Sequence, residues 1–174
     1  GPDRKEVKLV RKKKGDSLEV TELSRKKETD ASKIYSVEFA LSHLQLDDVA
    51  DPALSDEQMG LTKPVIFRLK TYKGEIYTVK IGGSPEGAEN RYVRINAELE
   101  EPKDDTETRG HRDAGKEKGD EESSDSKKDE RKELEAGIKT LNDQLGKWTY
   151  LINAGKAEAM TREQKDLVKD KEKK

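Results

Sequence analysis

Pro64-Val-Ile-Phe-Arg-Leu-Lys-Thr-Tyr-Lys-Gly-Glu-Ile-Tyr-Thr-Val-Lys-Ile81 is the stretch that decides the fold. Val65, Phe67 and Leu69 alternate with Ile66, Arg68 and Lys70. Tyr77, Val79 and Ile81 then alternate with Ile76, Thr78 and Lys80. A period of two is the signature of a half-buried strand, because successive side chains point to opposite faces. Between the two runs lies Tyr72-Lys73-Gly74-Glu75, where glycine supplies the positive φ that a tight hairpin turn needs. An antiparallel hairpin is therefore expected at 64–81. Downstream, Gly82-Gly83-Ser84-Pro85-Glu86-Gly87 reads as a loop and Arg91–Ile95 as a last short strand.

Upstream, Val7 and Leu9 alternate with Glu6 and Lys8, and Leu18–Leu23 alternates again after the turn residues Lys14-Gly15-Asp16. A second hairpin is expected over about residues 5–23. A helix follows from the cap Thr29-Asp30, with Ile34, Val37, Leu41 and Leu44 on one stripe, Tyr35 and Phe39 widening it, and an end near Gln45. His43 falls off that stripe and is expected at the surface. Ser55–Gly60 has the makings of a helical turn closed by glycine.

Beyond residue 97 the pattern stops. Residues 98–130 hold 14 acidic and 7 basic side chains, and their only apolar ones are Leu99 and Ala114. So little apolar surface cannot offset the entropy of ordering, so 98–130 is expected to be a disordered charged linker. Order resumes at 131. Leu134, Ile138, Leu141 and Leu145 mark an amphipathic helix that Gly146 closes. Trp148–Ile152 reads as a strand, and Thr161 with Gln164 as the capping box of a second helix. The lysine-rich end, 169–174, is expected to be loose.

Neither part has enough cover alone. The first offers strands with one helix, the second a single apolar stripe and a tryptophan. The expected class is therefore α+β: a mostly antiparallel sheet built from hairpins, packed by one or two amphipathic helices, with 98–130 looped out as a long disordered insertion. Segments 5–97 and 131–168 are expected to complete one domain, since loop closure grows only logarithmically with length.

Composition bounds the function. The chain of 174 residues is 30% hydrophobic and 43% charged, against about 45–50% and about 25% in ordinary globular domains. Its net charge is −2, with 29 basic and 24 acidic residues outside 98–130. No global field steers it to nucleic acid, and no aromatics interleave with the basic residues as in single-strand binders. There is no cysteine, hence no disulfide framework and no thiolate nucleophile. No stretch has the roughly 18 apolar residues of a membrane span. The opening Gly1-Pro2, within 1–4, reads as the remnant of a protease cleavage. The natural N-terminus, with any targeting or anchoring segment, is expected upstream.

A search for chemistry nominates no catalytic, cofactor-binding or metal-ligating residue. Of the two histidines, His43 is placed on a solvated helix face and His111 in the charged linker. Gly82-Gly83-Ser84 follows a strand, but a phosphate cradle needs a helix N-terminus and usually a lysine, whereas Pro85 and another strand follow. Asp47, Asp48, Asp51 and Asp56 cluster without the spacing of a calcium loop and read as a solvated acidic turn. The basic run Arg11–Lys14 reads as a solvated hairpin tip. Trp148 and Tyr150 share a strand face; interface anchoring is one reading, core packing the plainer one.

The order of motifs resembles a known family. The hairpin 7–23, the helix from Asp30, Met59-Gly60-Leu61-Thr62-Lys63-Pro64, the Gly74 hairpin, Ile81-Gly82-Gly83 and Arg91-Tyr92-Val93-Arg94 follow one another. This resembles the repeat module of a bacterial envelope family, the domain of unknown function number 4340. Trp148–Ile152 is similar to a Trp-x-Tyr-x-Ile phrase of such proteins. The resemblance covers about 5–97 and extends to 134–168; the length of 98–130 departs from it. It implies a non-enzymatic module of a membrane-anchored protein in the periplasm or envelope, accessory to a transport system, with no catalytic residues to carry over. The expected partner is a protein, with no nucleic acid and no membrane contact by this chain itself. The alternatives are a cytoplasmic nucleic-acid or polyanion binder using residues 11–14 and the C-terminal lysines, and a hydrolase with carboxylate catalysis.

Overall fold

The computed structural model describes residues 6–42, 44–101 and 122–171. Its class is α+β, with mostly antiparallel sheets and three α-helices among the described residues. The elements in chain order are β1 (Leu9–Val10), β2 (Glu19–Val20), β3 (Lys27–Thr29), α1 (Ala31–Glu38), β4 (Asp48–Val49), β5 (Val65–Lys70), β6 (Glu75–Ile81) and β7 (Arg91–Leu99). Then come α2 (Glu122–Leu145), β8 (Tyr150–Ile152), α3 (Ala154–Met160), a 3-10 turn (Gln164–Leu167) and β9 (Val168–Asp170). The main sheet runs β4-β8-β7-β6-β5, and two small ladders pair β1 with β2 and β3 with β9.

The deciding hairpin is β5–β6. Gly74, at φ +86°, turns the chain, and its N–H donates to the Thr71 carbonyl at 3.1 Å. β8 lies between β4 and β7, pairing antiparallel with both: Val49 and Val93 each oppose Tyr150.

The chain divides into two compact units. The first takes Gly1–Phe67, Lys80–Arg94 and Trp148–Lys174. One of its cores gathers Val20, Ile34, Val37 and Leu167, flanked by Leu9, Leu18, Phe67 and Val168. Another gathers Ala50, Met59, Leu61 and Tyr92, flanked by Leu54 and Leu151. The second unit takes Arg68–Val79 and Ile95–Lys147. There, Leu134, Ile138, Leu141 and Leu145 of α2 are half-buried at helical spacing, as the stripe predicts. The α2 residue Asn142 reaches β7: its Nδ2 donates to the Ala97 carbonyl at 2.7 Å, and the Ala97 N–H donates to its Oδ1 at 2.9 Å. One side-chain amide thus serves both backbone groups of a strand residue. Gly146 ends α2, its N–H donating to the Asn142 carbonyl at 2.8 Å.

Several expectations need correcting. Helix α1 starts as expected, with the Asp30 carboxylate accepting from the Ser32 N–H at 3.0 Å. It stops at Glu38 rather than Gln45: the Ala40 N–H donates to the Val37 carbonyl at 3.1 Å, three residues back instead of four, and beyond this end Lys156 of α3 donates to the carbonyls of Phe39 (3.4 Å) and Ser42 (3.0 Å). The predicted linker 98–130 is shorter than expected on both sides: β7 continues to Leu99 and α2 begins at Glu122. Residues 102–121, with His111, and the single position His43 lie outside the described residues.

The helix expected from Thr161 is displaced. Asn153 caps α3 by accepting from the Gly155 N–H at 2.8 Å, and Thr161 closes α3 instead of opening a helix. The reciprocal cap falls two residues later, where the Glu163 N–H donates to Asp166 at 3.2 Å and heads the 3-10 turn. The end is not loose through Asp170, because β9 pairs antiparallel with β3. That register sets Lys27 against Asp170 and Glu28 against Lys169, and the ion pairs Lys27–Asp170 (2.8 Å) and Lys169–Glu28 (3.3 Å) form alongside it.

Candidate functional site

The phrases that stand out in the sequence meet in one place in the first unit. The turn Ser55–Gly60 is capped at its head: the Ser55 N–H donates to Gln58 Oε1 at 2.8 Å, and the Gln58 N–H donates to Ser55 Oγ at 3.3 Å. Gly60 reverses the chain at φ +66°. This brings the Met59 carbonyl to 2.8 Å from the donating N–H of Gly83. A Cβ on Gly82 would lie 2.2 Å from that carbonyl oxygen, and one on Gly60 would lie 2.7 Å from the Gly83 nitrogen. The glycines are there because two backbones touch.

Their polar groups are consumed by the same contact. The Gly82 N–H donates to the Tyr92 carbonyl at 2.8 Å, the Tyr92 N–H to the Gly83 carbonyl at 3.0 Å, and Arg91 Nε to the Gly82 carbonyl at 2.9 Å. A phosphate cradle works through free backbone N–H groups. Those of Gly82 and Gly83 already serve carbonyls, as befits an inter-strand loop.

Arg94 ties this region to its neighbours. Its Nη1 and Nη2 donate to the two Asp56 oxygens at 2.9 and 2.6 Å, a bidentate fork, and its Nε donates to Thr149 Oγ1 at 2.8 Å. Hydrogen bonding from Arg94 holds the Asp56 carboxyl below the ordinary aspartate value, with Lys80 adding a smaller pull. Nothing near Arg94 in the sequence announces this role, since the partners lie 38 and 55 residues away.

The remaining acidic cluster is engaged piecemeal. Asp47 accepts from Asn90 at 2.7 Å, Asp48 from the Val49 N–H at 2.8 Å, and Asp51 from the Ala53 N–H at 2.9 Å. No group of three or more His, Asp or Glu side chains converges as metal ligands among the described residues. In the basic run, Arg11 pairs with Glu38 and Lys12 with Glu19 at 2.8 Å, which raises the Lys12 ammonium above its ordinary value.

A cleft of about 430 Å³ lies in the second unit, lined by Lys70–Gly74, Glu100, Glu101 and Arg131. Lys70 and Glu100 pair within it at 2.5 Å, and Arg131 donates to the Glu100 carbonyl at 3.2 Å. On β6 nearby, Tyr77 donates to Glu75 at 3.0 Å; burial, then that carboxylate, pushes its phenol up.

The aromatics divide differently from expectation. Tyr150 is buried, but Trp148, two residues before β8 begins, is 49% exposed. Tyr35 (66% exposed) and Phe39 (43%) do not widen the buried stripe of α1. They stand together at the surface, ring centroids 4.7 Å apart and tilted by 45°.

Compared with known proteins, the chain matches no family model, no curated protein and no solved structure.

Proposed function

We propose that the chain is a protein-interaction module, a scaffold element of a bacterial cell-envelope protein accessory to a transport system. The observation that carries the interaction reading is the Tyr35–Phe39 pair. Helix α1 spends Ile34 and Val37 on the core and still leaves two adjoining aromatic rings in water. Large aromatics at a surface are the residues most often found as anchors of protein interfaces, since they remove much apolar area at little entropic cost. The envelope location rests on the motif order described above.

The experiment is site-specific photo-crosslinking in the native cell, with the probe at position 35 and a control at Glu86, an exposed loop residue. A discrete adduct at 35, missing at 86 and lost with Phe39→Ser, is expected in the envelope fraction. An adduct pattern at 35 no different from 86 would sink the interaction reading, and recovery of the protein away from the envelope would sink the location.

The competing polyanion reading has Arg11, Lys12 and Lys169 already paired with Glu38, Glu19 and Glu28. Titration with DNA and RNA at two salt concentrations separates it, because phosphate contacts weaken steeply with salt.

A further inference from the structure

We propose that the outer edge of β5 receives an extended acidic segment of a partner protein as an added strand. Among the described residues, the main sheet has two edges, β4 and β5. An edge strand carries a row of N–H and C=O groups with no neighbour, a template for another strand. β4 is a poor template. It is two residues long, and the Asp48 carboxylate already takes the Val49 N–H. β5 is the opposite case, with six residues alternating between half-buried and exposed. Pro64 marks where it begins, and Ile66 is 58% exposed.

Charge selects the partner. From Leu61 to Gly74 the chain carries Lys63, Arg68, Lys70 and Lys73 and no acidic residue. Lys70 and Lys73 have internal partners in Glu100 and Glu130, while among the described residues Lys63 and Arg68 form no ion pair. Charges on an edge are also a device against aggregation. That device is selective: it opposes a second copy of β5, whose lysines and arginine would face their own kind, and it favours carboxylates placed opposite. The protein itself uses this mode within its chain. β3 and β9 are short, charged segments that pair antiparallel with Lys27 set against Asp170 and Glu28 against Lys169. The incoming segment would place an apolar residue against Ile66 and a carboxylate against Arg68.

The proposal gives partner chemistry to the interaction module read above and rests on that reading. Crosslinking at Tyr35 and binding at β5 are separate readouts, so either fails without the other. The probe is a synthetic peptide alternating Glu with Val, added to the intact chain. Beside it run the same peptide with Lys for Glu and an N-methylated version that cannot pair its backbone. The acidic peptide is expected to slow amide exchange within Val65–Lys70, and N-methylation should abolish this. Arg68→Glu lies at an exposed position, and circular dichroism checks that the variant keeps its fold. It should weaken the acidic peptide about tenfold and favour the lysine peptide instead, since charge complementarity sets which partner is accepted. The proposal is overturned by equal binding of both peptides, by no added protection in β5, by indifference to Arg68→Glu or N-methylation, or by concentration-dependent pairing of the chain through β5.

Discussion

Replacing Asn142 tests how a helix side chain closes a strand. Ala97 is 2% exposed, and Asn142 supplies a partner to both its N–H and its C=O. Asn142→Ala removes both bonds and leaves a buried donor and a buried acceptor. An orphaned buried polar group costs about 1–3 kcal/mol. Asn142 is itself only half-buried, so some water can reach the gap and the lower part of that range applies to each group. The expected loss is about 2–3 kcal/mol. With a urea slope of about 1.5–2 kcal/mol/M, the unfolding midpoint should fall by about 1–2 M. Far-UV circular dichroism reads it.

Asn142→Asp sharpens the test. A carboxylate can accept from the Ala97 N–H, but it sets a charged oxygen against the Ala97 carbonyl, where the amide had set a donor. The variant should be as unstable as Asn142→Ala at pH 7. A protonated carboxyl can donate, so the fold raises the pKa of this group. Its contribution is then present below the unfolded value, about 3.9, and lost as pH rises through the raised one. Measured against the parent at each pH, the deficit should shrink as pH falls through the raised value and be smallest below about pH 4. A loss under about 0.5 kcal/mol for Asn142→Ala, well below the usual cost of an orphaned buried group, would refute the reasoning. So would an Asp variant as stable as the parent at pH 7.

Gly82→Ala drives a Cβ to 2.2 Å from the Met59 carbonyl, with backbone on both sides; a loss of about 3 kcal/mol or more in chemical denaturation is expected. Gly137→Ala, in the exposed stretch of α2 with nothing within 4 Å, should instead stabilise by about 0.5–1 kcal/mol, and a lower melting temperature would contradict it. Leu167→Ala empties a 2% exposed site in the core with Ile34 and Val37, so a loss of about 2–5 kcal/mol is expected by the same denaturation assay. The folded-state value of Asp56 is the depressed one, so its contribution is present above the ordinary aspartate value and lost as pH falls through the lower value. Asp56→Asn should therefore flatten the acid limb of the stability–pH curve, and an unchanged limb would show that the Arg94 fork contributes nothing measurable.

Much of the local structure was written in the periodicity. Alternation at 65–69 and 77–81 with Gly74 between them located β5 and β6, and the leucine spacing located α2 with its stop at Gly146. The α+β class followed from these elements, because patterns of period two and period 3.6 depend only on neighbours along the chain. The glycines of 82–83 were visible as a loop, yet their reason was not, since a Met59 carbonyl reaches them from another turn.

What tertiary structure alone decided is which distant groups meet. β3 and β9 carry almost no apolar residue, so no periodicity announces them; they pair because segments from opposite ends of the chain meet beside the core on which Val168 packs, with opposite charges in register. Arg94 finds Asp56 and Thr149, and Asn142 finds Ala97, in the same way. It also decided that Tyr35, Phe39 and Trp148 face water while Tyr150 is buried. Hydrophobicity states that a side chain gains by leaving water, but whether a surface exists to cover it depends on chain from elsewhere, which local sequence does not encode.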